Sequence, residues 1–168
     1  MKQHPAFVLA PQCPPNQLWD NAPRDANGLM HLQQVPSTSA RLLMEAVRDV
    51  IKKFPVDTNR IYITGLSMGG FGTFDLLARY PHFFAAAVPV CGGGDVSYAA
   101  SFAHIPMWIF AGADDPSVNP AYSYAMANAL VKAGAHPGFT IYPGVGHFSW
   151  IPAYSDPMLM DWLFSQKR

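Results

Sequence analysis

Apolar positions along the chain fall into two periods. Short continuous runs occur at Ala6-Phe7-Val8-Leu9-Ala10, Ile61-Tyr62-Ile63-Thr64, Ala85-Ala86-Ala87-Val88-Pro89-Val90-Cys91, Pro106-Met107-Trp108-Ile109-Phe110-Ala111-Gly112 and Phe139-Thr140-Ile141-Tyr142. Runs of this length, bounded by Gly and Pro, predict strands buried on both faces. Longer amphipathic stretches alternate with them. Leu42, Leu43, Ala46, Val47, Val50, Ile51 and Phe54 recur at helical spacing, with Arg41, Glu45, Arg48, Asp49, Lys52 and Lys53 on the solvated side. Ser37 or Ser39 caps this helix and Pro55 ends it. A second helix follows Ser67 to about Tyr80, stopped by Pro81, and a third covers about residues 121–133, closed by Gly134. A final helix is capped by Asp156, starts at Pro157 and turns Leu159, Trp162 and Leu163 inward. Alternation of strand and helix predicts a parallel sheet with helices on both faces.

Composition narrows the function classes. With 168 residues, 50% of them hydrophobic, the chain is long enough to bury a core as a single domain over residues 1–168. Charged residues are only 13% and balance to zero, which argues against nucleic acid or an anionic membrane surface as partner. No run reaches the 18 apolar residues of a membrane span, and Met1-Lys2-Gln3-His4-Pro5 has no signal-peptide character. The abrupt beginning leaves targeting information upstream, and hence the compartment, open. Cys13 and Cys91 are the only cysteines, and no Cys or His cluster has zinc spacing, so no metal is expected. Gly92-Gly93-Gly94 lacks the following Gly-Lys-Ser/Thr of a phosphate loop, and no other cofactor motif occurs. The two cysteines are expected as free thiols, on strand ends too far apart to bridge.

The candidate chemistry centres on Gly65-Leu66-Ser67-Met68-Gly69, a G-x-S-x-G run that joins a predicted strand directly to a predicted helix. Such a tight turn lifts Ser67 clear of the sheet as a candidate nucleophile. Gly65 and Gly69, lacking Cβ atoms, let strand and helix approach. The backbone N–H of Met68, at the helix N-terminus, faces the place where an oxyanion would form. Asp114, Asp115 and His147 follow two later strands. In a parallel sheet those carboxyl ends share one edge, where ligands bind. A histidine can take the serine proton and a carboxylate can fix its tautomer. His147 alone among six histidines sits in a glycine turn after a strand. Asp115 is favoured as the acid because Pro116 holds its turn extended, with Asp114 as the alternative. The long segment from Pro11 to about Gln34 holds Trp19, which either lines a cleft or anchors the loop.

Taken together, Asn-Arg-Ile-Tyr-Ile-Thr-Gly-Leu-Ser-Met-Gly-Gly, Phe-Ala-Gly-Ala-Asp-Asp-Pro, Gly-His-Phe-Ser-Trp, Pro11-Gln12-Cys13-Pro14 and Asp161-Trp162-Leu163 resemble α/β-hydrolase esterases. The similarity is to the phospholipase/carboxylesterase and feruloyl-esterase-like branch, also labelled prolyl-oligopeptidase-like or polyhydroxybutyrate-depolymerase-like, and it covers nearly the whole chain. It implies a three-layer α/β-hydrolase-like sheet, no cofactor, Ser67, Asp115 and His147 as nucleophile, acid and base, and a small-molecule ester as substrate. Gln12, Trp19, Phe71, Tyr98 and Trp150 are the corresponding cleft candidates. A peptidase or thioesterase of the same fold, or a non-catalytic binding domain, are the alternatives. One departure is that the family's strand and His-Gly loop, source of a second oxyanion donor, have no counterpart before Ala6. The expectation is therefore a domain truncated at its N-terminus, with residues 6–10 shifted to pair with residues 60–64 or a homodimer formed through the exposed sheet.

Overall fold

The computed structural model describes residues 4–168; Met1–Gln3, part of the opening segment read for a leader, lie outside the described residues. Four strands form one wholly parallel sheet in the order β1 (Tyr62–Leu66), β2 (Ala86–Val90), β3 (Trp108–Gly112) and β4 (Gly138–Tyr142). Five α-helices accompany it: α1 (Thr38–Lys53), α2 (Met68–Arg79), α3 (Ala121–Lys132), α4 (Trp150–Ser155) and α5 (Pro157–Ser165). A 3-10 turn, Val96–Ser101, lies between β2 and β3.

Alternate residues along each strand explain the three layers, because successive side chains point to opposite faces. Ala87 and Ile109 join one core with Met44 of α1, Phe74 and Leu77 of α2, and Met126 and Leu130 of α3. Ala86, Val88, Val90 and Phe110 face the other way, onto Ala153 of α4 and Leu159 and Leu163 of α5. Helices therefore cover both faces, as the strand–helix alternation predicts, and the arrangement is an α/β-hydrolase-like fold. Ser37 caps α1 by accepting from the Ala40 N–H at 3.0 Å, and Asp156 caps α5 through Met158 N–H at 2.8 Å.

Two expectations are corrected. Residues 6–10 form no strand and pair with neither β1 nor any other element. Phe7, Val8 and Leu9 are 57%, 88% and 44% exposed. The segment instead runs between layers: His4 stacks on Phe164 of α5, and Phe7 packs on Phe54 just past α1. An apolar run becomes a strand only where its backbone groups are paired along a sheet edge; here Pro5 and Pro11 bracket the segment, and its aromatic contacts hold it to Phe54 and Phe164 instead. The second correction is rotational. α1 buries Ser39, Ala40 and Met44, while Leu42 and Phe54 stay 46% and 48% exposed, so its inward face is turned from the predicted stripe.

The long segment before α1 is fastened to the body. Asp75 accepts from the Asn21 N–H at 2.9 Å and Asp95 from the Leu32 N–H at 2.9 Å. Arg79, paired with Asp75 at 2.6 Å, donates to the Gln34 carbonyl. No helix among the described residues is long and apolar enough to cross a membrane.

Candidate active site

A single residue separates β1 from α2, and it is Ser67. Its φ of 54° and ψ of −118° lie where a non-glycine residue stays only if its surroundings hold it. They do so by hydrogen bonds. The Ser67 N–H donates to Val90 O at 3.0 Å and to Cys91 Sγ at 3.3 Å, and Ser67 O accepts from Phe71 N–H at 3.1 Å. Close approach of strand and helix depends on Gly65, where a Cβ would collide with the backbone of Gly69. Gly69 itself has open space around it, so of the two motif glycines only the first is sterically required. Met68 is the first residue of α2, so its N–H is one of the helix's unpaired donors, next to the Ser67 side chain.

The other two side chains arrive from the far half of the sheet. Beyond β3 and β4 the chain stays zipped, Ala113 N–H donating to Tyr142 O and Asp114 N–H to Val145 O, both at 3.0 Å. Gly112 allows this, since a Cβ there would strike the Val145 and Gly146 backbone. Asp115 thereby faces His147. Its Oδ2 lies 2.8 Å from His147 Nδ1, and His147 Nε2 lies 3.0 Å from Ser67 Oγ. An ionised carboxylate only accepts, so Nδ1 carries the proton and Nε2 is left to accept from the serine hydroxyl. Asp114 is exposed and takes no part in this chain.

Burial raises the Asp115 carboxyl, but the Val118 N–H, the His147 imidazole and the Ser117 N–H outweigh it and hold the group below the ordinary carboxylate range. Asp115 is therefore a fixed anion behind the imidazole. Such a chain can draw the proton from Ser67 Oγ as the oxygen becomes a nucleophile, and stabilise the imidazolium that results.

Among the cleft candidates, Trp150 joins the group, its ring edge-on to His147 with centroids 5.2 Å apart. Exposed Phe148, which the sequence reading did not single out, meets Trp150 edge-on with centroids 5.0 Å apart and widens this aromatic wall. Trp19 packs on α2 where a Cβ on Gly72 would sit, and its carbonyl accepts from Ser37 Oγ at 2.7 Å, so it anchors the loop. Phe71 is 7% exposed, packed with Ala22 and Met30 and covered by the Arg24 guanidinium 4.9 Å from its ring. Gln12 is exposed and donates to the adjacent Cys13 carbonyl. Tyr98 lines a hollow of about 320 Å³ with Leu32, Arg79 and Tyr80, at the far end of α2, roughly 18 Å of helix rise from Ser67. Another hollow, about 300 Å³, is bounded by Met107 and Pro137, where β3 and β4 begin. Neither hollow is at the carboxyl ends of the strands, where the hydrogen-bonded side chains and the topology place the site.

Sequence reasoning passed over Cys91. It follows β2, the direct neighbour of β1, with a φ of 41°, and burial pushes its thiol up despite the bond from Ser67 N–H. Its signal was present: a residue ending the strand adjacent to the nucleophile's, immediately before three glycines.

Comparison with known proteins places the chain among hydrolases. Residues 7–151 match the Dienelactone hydrolase family. A probable acetylxylan esterase A of Aspergillus clavatus is 26% identical over 144 residues, covering 85% of this chain and 42% of that protein. A poly(3-hydroxyalkanoate) depolymerase C of Paucimonas lemoignei is 50% identical over 38 residues, 23% of this chain and 9% of that one. The crystal structure of a thermostable esterase superposes with a TM-score of 0.88 at 38% identity, over 98% of this chain and 45% of that one. The chain thus spans less than half the length of these proteins.

Proposed function

The chain belongs to the Dienelactone hydrolase family, and we propose that it is a serine carboxylesterase acting on small or aromatic acyl esters. The observation that carries this reading is the unbroken path from Ser67 Oγ through His147 to Asp115, at 3.0 and 2.8 Å. Ser67 Oγ attacks the ester carbonyl while His147 Nε2 takes its proton. The Met68 N–H stabilises the tetrahedral oxyanion, a contribution that in comparable sites reaches about 10²–10³ in rate for one donor. His147 then returns the proton to the departing alkoxide, and a water activated by the same imidazole releases the acid. The acetylxylan esterase relative favours a short acyl group, and the aromatic pair Phe148 and Trp150 beside His147 favours a flat one.

Initial rates on p-nitrophenyl acetate, p-nitrophenyl butyrate and methyl cinnamate test the proposal. Hydrolysis of the acetate faster than the butyrate, with measurable turnover of the cinnamate, is expected. No hydrolysis of any of the three by folded protein would overturn it.

A further inference from the structure

No stretch of the sequence has metal-ligand spacing, yet the fold gathers three ligating side chains under the nucleophile. Cys91 Sγ, a carboxylate oxygen of Asp115 and a ring nitrogen of His147 lie within 4.8 Å of one another. Cys91 and Asp115 are buried, at 2% and 8% exposure, and His147 is partly so. A thiolate, an imidazole and a carboxylate are the three donor types that Zn²⁺ and its relatives take. The sulfur is also fixed in place, by the bond from Ser67 N–H and by a left-handed backbone at Cys91.

A second, independent feature points the same way. Ser149 is completely buried, and its Oγ is an orphan, with no hydrogen-bond partner among the described residues. It neighbours the Cys91 thiol without making a hydrogen bond to it. A buried hydroxyl left in this state calls for an explanation. An ion between Cys91, Asp115 and His147 would give it one, as a fourth donor or as a bond to the coordinated sulfur.

We propose that Cys91, Asp115 and His147, with Ser149 Oγ turned toward them, form a site for a thiophilic divalent ion such as Zn²⁺ or Cd²⁺, whose binding shuts off the serine. Tetrahedral donors at about 2.0–2.3 Å from zinc stand about 3.3–3.8 Å apart, so the widest pair has to close by roughly 1.5 Å at most. Cys91 binds as the thiolate and gives its proton to solvent. If the ion takes His147 Nδ1, the ring's one proton resides on Nε2, which then donates toward Ser67 Oγ instead of accepting from it. If the ion takes Nε2, the basic lone pair is occupied directly. In both cases one proton is released per ion, nothing is oxidised or reduced, and the base is lost.

The test is titration of the folded protein with Cd²⁺ alone, followed by the ultraviolet thiolate-to-cadmium absorption, with Zn²⁺ competition. One ion per chain and a thiolate band are expected in the wild type, in Cys13→Ser, and in Ser67→Ala, which has no nucleophile. The band should vanish in Cys91→Ser, and affinity should fall at least tenfold in Asp115→Asn and in Ser149→Ala. The last two variants keep the sulfur, so the idea stays testable if Cys91→Ser does not fold. A wild type without the band, a band lost in Cys13→Ser instead, or unchanged affinity in both Asp115→Asn and Ser149→Ala would overturn it. Because binding is read in Ser67→Ala, its outcome is separate from that of the esterase reading.

Discussion

Replacing Asp115 by asparagine exchanges one oxygen for an NH₂ group in a side chain whose two oxygens are both committed. Oδ1 accepts from Ser117 N–H at 2.8 Å and Val118 N–H at 2.9 Å, while Oδ2 faces His147 Nδ1 at 2.8 Å. The two backbone donors will hold the single amide oxygen, so the NH₂ must take the place of Oδ2. A donor then meets the Nδ1–H. The imidazole can relieve this only by moving its proton to Nε2, which turns an N–H toward Ser67 Oγ and removes the base. In a characterised triad this change costs about 10⁴ in kcat, or ~5.5 kcal/mol at 1.36 kcal/mol per decade. Asp114→Asn is the control. That residue is exposed and is tied to the site by its backbone N–H, with no side-chain hydrogen bond to it among the described residues, so an effect within about ±0.5 kcal/mol is expected. The assay is kcat on p-nitrophenyl acetate, with thermal denaturation to confirm folding. The reasoning fails if Asp115→Asn keeps more than roughly a tenth of wild-type kcat, a loss of only ~1.4 kcal/mol, or if Asp114→Asn suffers more than Asp115→Asn.

Three further outcomes follow from the same structure. Asp75→Ala strands the Arg79 guanidinium, whose side chain is 9% exposed, and orphans the Asn21 N–H; urea denaturation should show a loss of about 3–5 kcal/mol, and under 1 kcal/mol would contradict the buried pairing. Gly65→Ala drives a Cβ into the Gly69 backbone and should cost about 1–3 kcal/mol, whereas Gly69→Ala meets open space; equal stabilities of the two variants, measured side by side, would refute the contact. Asp115 has its folded pKa depressed, so its contribution to stability is complete above the ordinary value of 3.8 and is lost as pH falls through the lower folded value. The stability gap between wild type and Asp115→Asn should accordingly be flat above about pH 5 and shrink below about pH 4; a gap that widens on acidification would reverse the sign.

Much of this arrangement was legible in the residues. Strands that end at Leu66, Gly112 and Tyr142 deliver Ser67, Asp115 and His147 to one edge, because parallel strands share a carboxyl end. Pro116 behind Asp115 and the backbone turn it closes distinguished that residue from Asp114, and the hydrogen bonds follow the same choice. The misreadings have a common cause. Residues 6–10 have the composition of a strand, but composition does not say whether a sheet edge will meet them. The stripe on α1 was read from spacing, whereas the buried face, at Ala40 and Met44, is set by where α2 and the sheet already lie. Phe71 lies one helical turn past the nucleophile, yet it is drawn into packing beside Met30, whereas Trp19, packed against Gly72, takes the anchoring one of its two expected roles. Cys91 had a local signal, its place at a strand end before three glycines, but its nearness to Asp115 and His147 comes from strand ends converging in space, which no local pattern encodes.

The central claim is that Ser67 is a nucleophile activated by His147. Incubation with a fluorophosphonate, followed by digestion and mass spectrometry, tests it without depending on substrate choice. The account predicts stoichiometric phosphonylation on the peptide bearing Ser67, abolished in Ser67→Ala and slowed by orders of magnitude in His147→Ala. Labelling that persists in folded Ser67→Ala, or that proceeds at the wild-type rate without His147, would contradict it.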